Sequence, residues 1–273
     1  MTSEAAEPNA VASRALARLY DLDLAEEPGD VELYQALARR TGGPVIELAV
    51  GSGRLAIPLA RDGHEVVGVD LDPAMLERGR EHARAADDGA EGRLTLVEGD
   101  LTDAATLPDV ARRGPYGLAF IGLNSILLLA SAERQRAAIR ALASVLRPGG
   151  VAIIDAWQPT PADLVAFDGR LSLEWLRRDP ETGNDVTKTA AAWFDSAARH
   201  VTLTTIFEEG QPGGPVVRWT RVDALRLVTA DELTSWAEAA GLEVEQLAGD
   251  HDLSALAPGS ERAILVARKP ATG

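Results

Sequence analysis

The chain has 273 residues and a formal net charge of −15, with 46% hydrophobic and 25% charged residues. This length and apolar content predict one large α/β core, while the acidic balance argues against nucleic acid as substrate, because phosphate binding requires clustered cations. Since the sequence contains no cysteine, disulfides, cysteine–zinc sites and thiol catalysis are excluded.

The N-terminal segment has neither the pattern of a signal peptide nor that of a membrane span. Residues 1–8 are polar and acidic, and no apolar run approaches the roughly 20 residues that cross a bilayer. We therefore expect a cytoplasmic protein. Apolar residues at helical spacing predict two amphipathic helices over residues 9–20 and 30–40. The segment between them, residues 20–30, is acidic and turn-rich, which is typical of a solvated linker.

A glycine-containing turn follows the first apolar run of the chain. This run begins at Val45, breaks at Gly51 and Gly53, and resumes as a helix, a pattern that predicts a strand followed by a nucleotide-binding loop. Glycine lets the backbone approach a ligand closely, and the helix points its N-terminus at the same place. A second apolar strand ends at Asp70, where a carboxylate of a βαβ unit lies beside a ribose.

Two ligands compete for this loop. The spacing Gly51-x-Gly53-x-x-Ala56 fits the dinucleotide fingerprint only loosely. Glu47 lies within the first strand, and Asp100 ends the third. Carboxylates repel a pyrophosphate but attract a ligand with an ammonium and a sulfonium group, such as S-adenosylmethionine (SAM). Charge therefore favours SAM, and an NAD-dependent oxidoreductase is the alternative.

Later strands end in polar residues that the same ligand could reach. The fourth predicted strand ends at Leu123 and Asn124, and the fifth carries Asp155 near its end. Ligands bind at the carboxyl ends of parallel strands, so we expect these residues at one edge of the sheet. From residue 159 to 227 the pattern changes to alternating, turn-separated stretches, which predict an inserted antiparallel sheet. A capping box at Thr229 then opens a last helix.

The segment Glu47-Leu-Ala-Val-Gly51-Ser-Gly53 resembles the first motif of the class I SAM-dependent methyltransferases, with Ala49 where many members carry glycine. The resemblance implies a Rossmann-like, mostly parallel seven-stranded sheet flanked by helices, with an inserted antiparallel β lid and N-terminal helices. The last two strands are expected to run antiparallel to each other. The expected divisions are an N-terminal helical lid (1–44), a SAM-binding core (45–158 and 228–270) and a substrate lid (159–227).

The resemblance also implies roles for single residues. Leu71 and Met75 lie against the adenine, although both could equally be core residues. Asp100 accepts a hydrogen bond from the adenine amino group, and the N–H of Leu101 reads the ring. Tyr20 hydrogen-bonds SAM or lines the substrate pocket, unless it only packs at a helix end. The expected cofactor contacts are Tyr20, Glu47, Ala49, Gly51, Gly53, Arg54, Asp70, Leu71, Met75, Asp100, Leu101, Leu123 and Asn124.

The expected activity is methyl transfer from SAM to an amine, hydroxyl or activated carbon of a small molecule. An amine only has to arrive unprotonated, whereas oxygen and carbon nucleophiles need a base. The catalytic candidates are His251 and Tyr20, followed by Asp155 and His200. No metal site is expected, because the histidines lie far apart in sequence. A SAM-binding protein that catalyses cyclisation is a further alternative, and a homodimer is one candidate assembly.

Overall fold

The computed structural model describes residues 6–26, 28–86 and 89–271. The described residues contain eight α-helices and eleven strands. The helices are α1 (Ala6–Asp23), α2 (Val31–Thr41), α3 (Ala56–Arg61), α4 (Pro73–Ala85), α5 (Pro108–Arg113), α6 (Ala132–Val145), α7 (Pro161–Ala166) and α8 (Ala230–Ala239). No helix in these ranges is both long enough and apolar enough to span a bilayer.

The strands form two separate sheets. They are β1 (Val45–Leu48), β2 (Val66–Asp70), β3 (Leu94–Glu98), β4 (Tyr116–Ile121), β5 (Leu146–Trp157), β6 (Ser172–Arg178), β7 (Asp185–Asp195), β8 (His200–Gly210), β9 (Val216–Arg226), β10 (Glu243–Ala248) and β11 (Arg262–Arg268). One sheet has seven strands in the order β10-β11-β5-β4-β1-β2-β3, and the other has four in the order β6-β7-β8-β9.

The chain divides into two compact units, each built around one of these sheets. The larger unit comprises Glu27–Pro159 and Val228–Gly273, and the smaller comprises Met1–Glu26 and Thr160–Leu227. The inserted antiparallel sheet predicted after the fifth strand is therefore confirmed.

In the larger unit, strands β1 to β5 run parallel, as the predicted Rossmann-like fold requires. Strand β11 pairs antiparallel with β5 and with β10, which confirms the expected terminal pair. Strands β1 and β4 are buried along their whole length, because helices cover both faces of such a sheet. All five parallel strands therefore end at the same edge of this unit.

Helix α2 belongs to the core of the larger unit. Its apolar face, which carries Leu33 and Leu37, packs in one cluster with Val45 and Phe120, and the Tyr34 ring lies 4.5 Å from that of Phe120. The expected division at residues 1–44 therefore differs from the structure. Helix α1 joins the smaller unit and α2 joins the larger one, because each helix buries its apolar face against a different sheet.

In the smaller unit, α1 covers one face of the four-stranded sheet. Leu19 and Leu22 of α1 pack with Val186 and Phe207, and Trp175 and Trp219 lie beside them. Charged residues of α1 add ion pairs across the same face: Arg18 with Asp179 and Glu209, and Asp23 with Lys188. The indole N–H groups of Trp175 and Trp219 donate to Asp23 and Glu209. The two tryptophans therefore contribute to the core of this unit.

A close backbone approach holds β4 beside the turn that precedes β1. The N–H of Gly117 donates to the carbonyl oxygen of Pro44 at 2.9 Å, and a Cβ at Gly117 would overlap the carbonyl oxygen of Gly42. We expect Gly117→Ala to lower the free energy of unfolding by about 1–3 kcal/mol, the usual range for overpacking. Urea denaturation measures this change. Gly92→Ala is the matched control, because nothing lies within 4 Å of its Cβ position, and equal losses in both variants would contradict the prediction.

Candidate cofactor and catalytic site

The loop after β1 is built from left-handed backbone. Ala49, Gly51 and Gly53 have φ values of 65°, 55° and 85°. Glycine adopts this conformation freely, whereas for an L-residue such as Ala49 it costs roughly 1–2 kcal/mol. The loop is held by Asp70, whose carboxylate accepts hydrogen bonds from the N–H groups of Gly51 at 2.7 Å and Asp72 at 2.9 Å. The end of β2 therefore fixes the shape of the loop that follows β1.

Glu47 and Asp70 place acid groups at the ends of neighbouring strands. Glu47 is only 4% exposed, and within the described residues its Oε2 has no hydrogen-bond partner. Burial raises the pKa of Glu47 well above its usual value, and the nearby Arg54 opposes this shift. Burial also raises the pKa of Asp70, although the N–H groups of Asp72 and Gly51 oppose it. A backbone hydrogen bond from Ala56 reaches the Glu47 carboxylate, so Oε2 is the buried oxygen that fits a ligand with an ammonium group.

Asp100 and Leu71 lie where the adenine is expected. Asp100 follows β3, and its carboxylate accepts from the N–H and hydroxyl of Thr102 and from Arg134. Although burial alone would raise it, these hydrogen bonds hold the pKa of Asp100 below its usual value. Leu71 is 67% exposed beside Asp70, whereas Met75 is buried in α4. An exposed leucine at this position fits a flat aromatic ligand, while Met75 contributes to the core.

The turn after β4 also has strained backbone. Leu123 and Asn124 have φ values of 37° and 66°. The N–H of Asn124 donates to the carbonyl oxygen of Asp155 at 3.1 Å, and its Oδ1 accepts from the N–H of Trp157 at 2.7 Å. Arg262 donates to the same Oδ1 at 3.2 Å. The Asn124 side chain therefore joins the ends of β4, β5 and β11, and its NH₂ group is the part that can face a ligand.

Three residues of this region were not predicted from the sequence: Asp30, Tyr34 and Arg262. Asp30 is fully buried before α2 and binds Arg54 through two hydrogen bonds of 2.6 and 2.7 Å. The Tyr34 hydroxyl is buried without a partner among the described residues, and burial followed by the charge of Asp155 raises the pKa of Tyr34. An acidic, turn-rich segment gave no sign that Asp30 would be buried. Only the fold brings it to Arg54.

Asp155 and His251, both candidate bases, lie in contact. Nε2 of His251 is 3.1 Å from Oδ2 of Asp155, and Arg262 binds Oδ1 of Asp155 at 2.7 and 2.6 Å. Ligand atoms of Asp30, Asp155 and His251 all lie within 4.8 Å of one another, although the sequence predicted no such cluster. Because Arg54 and Arg262 already compensate the two carboxylates, we interpret the group as an ion-pair network.

The other catalytic candidates lie in the smaller unit. Tyr20 is part of α1, where it is half-buried, and His200 begins β8. Their proposed roles remain predictions of the sequence. In the larger unit, Glu47 lies near the end of β1, Asp70 is the last residue of β2 and Asp100 follows β3, so the three acids lie at or near the ends of adjacent parallel strands, as expected from the motif. Leu101 begins a short 3-10 helix directly after Asp100.

Comparison with known proteins gives matches over most of the chain. A family model described as a methyltransferase domain matches residues 45–150. The dTDP-3-amino-3,4,6-trideoxy-alpha-D-glucopyranose N,N-dimethyltransferase of Streptomyces venezuelae is 26% identical over 241 residues, which cover 85% of this chain and 92% of that protein. These matches agree with the motif that begins at Glu47.

Solved structures share the fold. The CcbJ methyltransferase from Streptomyces caelestis superposes with a TM-score of 0.72 and 26% identity, covering 90% of this chain and 97% of that one. SAM-bound CalS10, an amino pentose methyltransferase from Micromonospora echinaspora, superposes with a TM-score of 0.67 and 20% identity, covering 92% and 96%.

These findings favour SAM over NAD as the ligand of the glycine loop. The oxidoreductase alternative is not favoured, because the family model and the relatives described above are methyltransferases. The matched segment contains the glycine loop itself and the acids at the ends of β1, β2 and β3. We conclude that the chain carries a methyltransferase domain at residues 45–150 and is a SAM-dependent methyltransferase.

Proposed function

We propose that the protein transfers the methyl group of SAM to the amino group of a small metabolite, with an amino sugar as the substrate class. The observation that carries this proposal is the match along 92% of the Streptomyces venezuelae enzyme, whose name describes N-methylation of an amino-deoxy sugar. CalS10, which is described as an amino pentose methyltransferase, has the same fold. The acidic character of the site also supports a cationic amine as ligand.

The residues around the glycine loop are suited to hold SAM. Asp70 lies where a carboxylate can accept from ribose hydroxyls, Glu47 can accept from the ammonium group, and Leu71 and Asp100 can bind the adenine. When bound, the sulfonium supplies a methyl group already activated for in-line displacement. The chain therefore has to orient the acceptor and exclude water. The assignments of Tyr20 as a SAM or substrate contact and of the smaller unit as a substrate lid remain predictions, as does the cytoplasmic location.

We also propose that the protein forms a homodimer through the face of the small sheet opposite α1. Strand pairing places on that face an uncharged centre of Leu173, Leu176, Thr187, Thr189, Ala191, Trp193, Thr202, Thr204, Ile206, Thr220, Val222 and Ala224. Charged residues flank this centre: the pairs Arg178 with Asp185 and Glu208 with Arg218 lie at one end, and Asp195 and Arg226 lie at the other. Two chains of net charge −15 repel each other, so an uncharged face is where a second copy can approach.

The amine proposal is tested by incubation of the protein with SAM and dTDP-3-amino-3,4,6-trideoxy-α-D-glucose. Mass spectrometry is expected to detect one or two added methyl groups. The analogue with a hydroxyl in place of the amine is expected to remain unchanged, and its methylation in place of the amine would contradict the proposal.

Calorimetry with S-adenosylhomocysteine tests the cofactor site separately. Asp70→Asn is expected to lose roughly 100-fold in affinity, because hydrogen bonds to a charged group are lost. Asp103→Asn is expected to bind S-adenosylhomocysteine as the wild type does.

The raised pKa of Glu47 makes stability depend on pH. In the window between the ordinary glutamate pKa of 4.5 and the higher pKa of Glu47 in the folded chain, the folded chain holds a proton that the unfolded chain releases, so stability falls as the pH rises. Above the window, ionised Glu47 destabilises the ligand-free protein. We expect Glu47→Gln to raise the Tm at pH 8 by about 2–4 °C, equivalent to about 1 kcal/mol.

Calorimetric scans of the ligand-free protein at several pH values measure this effect. The difference in Tm between Glu47→Gln and the wild type is expected to shrink as the pH falls below ~4.5, where the carboxyl is protonated in both states. Glu47→Gln is also expected to bind S-adenosylhomocysteine more weakly than the wild type, because an amide replaces the charged acceptor. Glu98→Gln, at the exposed end of β3, serves as control. A difference in Tm that does not vary with pH would contradict the interpretation.

The proposed dimer face is tested by adding a charge at its centre. Val222 is 63% exposed, so Val222→Arg is expected to leave the fold intact and to convert the dimer to a monomer, because two buried like charges would face each other. Light scattering during size-exclusion chromatography measures the mass. Val165→Arg on α7, where the side chain is 82% exposed, is the matched control. A monomeric wild type, or a dimeric Val222→Arg, would refute this assembly.

A further inference from the structure

The pair formed by Asp155 and His251 has the geometry of an oriented base. Asp155 is fully buried near the end of β5, and its Oδ2 lies 3.1 Å from Nε2 of His251. The His251 side chain is only 10% exposed, although it belongs to the connection between β10 and β11. A histidine on an exposed connection usually faces solvent, so its burial against a carboxylate requires an explanation.

Arg262 binds the side of Asp155 that faces away from His251. Its guanidinium binds Oδ1 of Asp155 at 2.7 and 2.6 Å, which stabilises the ionised carboxylate. An ionised carboxylate can only accept, so Nε2 of His251 carries the hydrogen of the bond between them. The neutral ring then leaves Nδ1 as an acceptor. Within the described residues, Nδ1 of His251 makes no hydrogen bond.

The pair belongs to the same edge of the sheet as the cofactor residues. Asp155 lies on β5, which neighbours β4 and then β1, the strand of Glu47. Gly122 follows β4 and lies beside both Tyr34 and Glu47. A Cβ atom added to this glycine would lie 3.5 Å from the Tyr34 hydroxyl and 3.9 Å from Oε1 of Glu47. The charge of Asp155 in turn acts on the Tyr34 hydroxyl. A substrate group that donates a hydrogen bond to Nδ1 of His251 would therefore lie close to the expected methionine end of SAM.

We propose that His251 accepts the proton that the methyl acceptor loses, with Asp155 and Arg262 as positioning residues. This inference rests on the proposed function, methylation of a small amine. Such an amine binds as an ammonium ion near neutral pH, and its nitrogen has no free electron pair until the proton leaves. The proton passes from that nitrogen to Nδ1 of His251. The nitrogen then forms a bond to the methyl carbon while the carbon–sulfur bond breaks and its electron pair remains on sulfur.

Charged groups on the neighbouring elements surround His251. The side chain of Asp250, the residue before His251, accepts a hydrogen bond from the backbone N–H of His251 at 2.7 Å. Ligand atoms of Asp155 on β5 and Asp30 before α2 both lie within 4.8 Å of the histidine. Arg262 on β11 pairs with Asp155, and Arg54 pairs with Asp30. Each of the two carboxylates therefore has a guanidinium partner, and the imidazole is held beside this ion-pair network.

The first test compares methyl transfer to the amino sugar probe by the wild type and by His251→Gln across a range of pH. General base catalysis contributes about 100-fold or more, so His251→Gln is expected to lose roughly that factor at pH 7. The loss is expected to shrink below about tenfold near pH 9, where more of the amine arrives unprotonated without help. A purely structural role would produce a loss that is independent of pH, and this result would overturn the proposal.

Controls separate this role from cofactor binding. His64→Asn, in the turn between α3 and β2, is expected to keep the rate and the pH profile of the wild type. Calorimetry with S-adenosylhomocysteine is expected to give the same affinity for the wild type and His251→Gln. A rate in His251→Gln equal to that of His64→Asn at pH 7 would overturn the proposal.

The tautomer gives a second readout that requires no acceptor. In protein labelled with nitrogen-15 histidine, NMR is expected to find the hydrogen of His251 on Nε2 in the wild type and a mixture of tautomers in Asp155→Asn. The hydrogen on Nδ1, or an unchanged tautomer in Asp155→Asn, would overturn the oriented base. If the wild type methylates no amine, the proposed function fails, and the NMR result still decides whether the pair is oriented as inferred.

Discussion

The hydrogen bond from Gly51 to Asp70 is the contact on which the cofactor site depends. It joins the loop after β1 to the end of β2 at 2.7 Å, so one carboxylate both shapes the loop and remains near the expected ribose. Because the acceptor is charged and partly buried, this bond is stronger than one between neutral groups. The same burial raises the pKa of Asp70. The loop therefore takes its shape from an acid that is partly desolvated.

The charges at this edge of the sheet are balanced unevenly. Asp30 is paired with Arg54, and Asp155 is paired with Arg262. Glu47 has no comparable partner among the described residues, although Arg54 lies near enough to affect its pKa. A network in which every acid had its own arginine would be more stable without ligand but would have less attraction for a cation. The unpaired acid is thus the feature that suits this edge to a positively charged ligand.

The sequence was sufficient for the elements that local patterns define. The glycine motif predicted the loop after β1, and alternating stretches with explicit turns predicted the antiparallel sheet. The capping box of Thr229 and Glu232 is present at the start of α8. Contacts between distant residues could not be predicted, because nothing near Asp155 indicates its pairing with Arg262, more than a hundred residues later. Similarly, the amphipathic pattern of α2 predicted a buried face but not which sheet would cover it.

Strained backbone is concentrated where the ligand is expected. Among the described residues, five that are not glycine have positive φ, and three of them, Ala49, Leu123 and Asn124, follow β1 and β4. Such residues cost roughly 1–3 kcal/mol each and persist only where surrounding contacts hold them. Two hydrogen bonds to the Asn124 side chain and one from its N–H provide those contacts at β4. At β1, the N–H groups of Ala49 and Val50 donate to the carbonyl oxygen of Val69 at 2.8 and 3.0 Å, and the bond from Gly51 to Asp70 adds a charged acceptor to this backbone support.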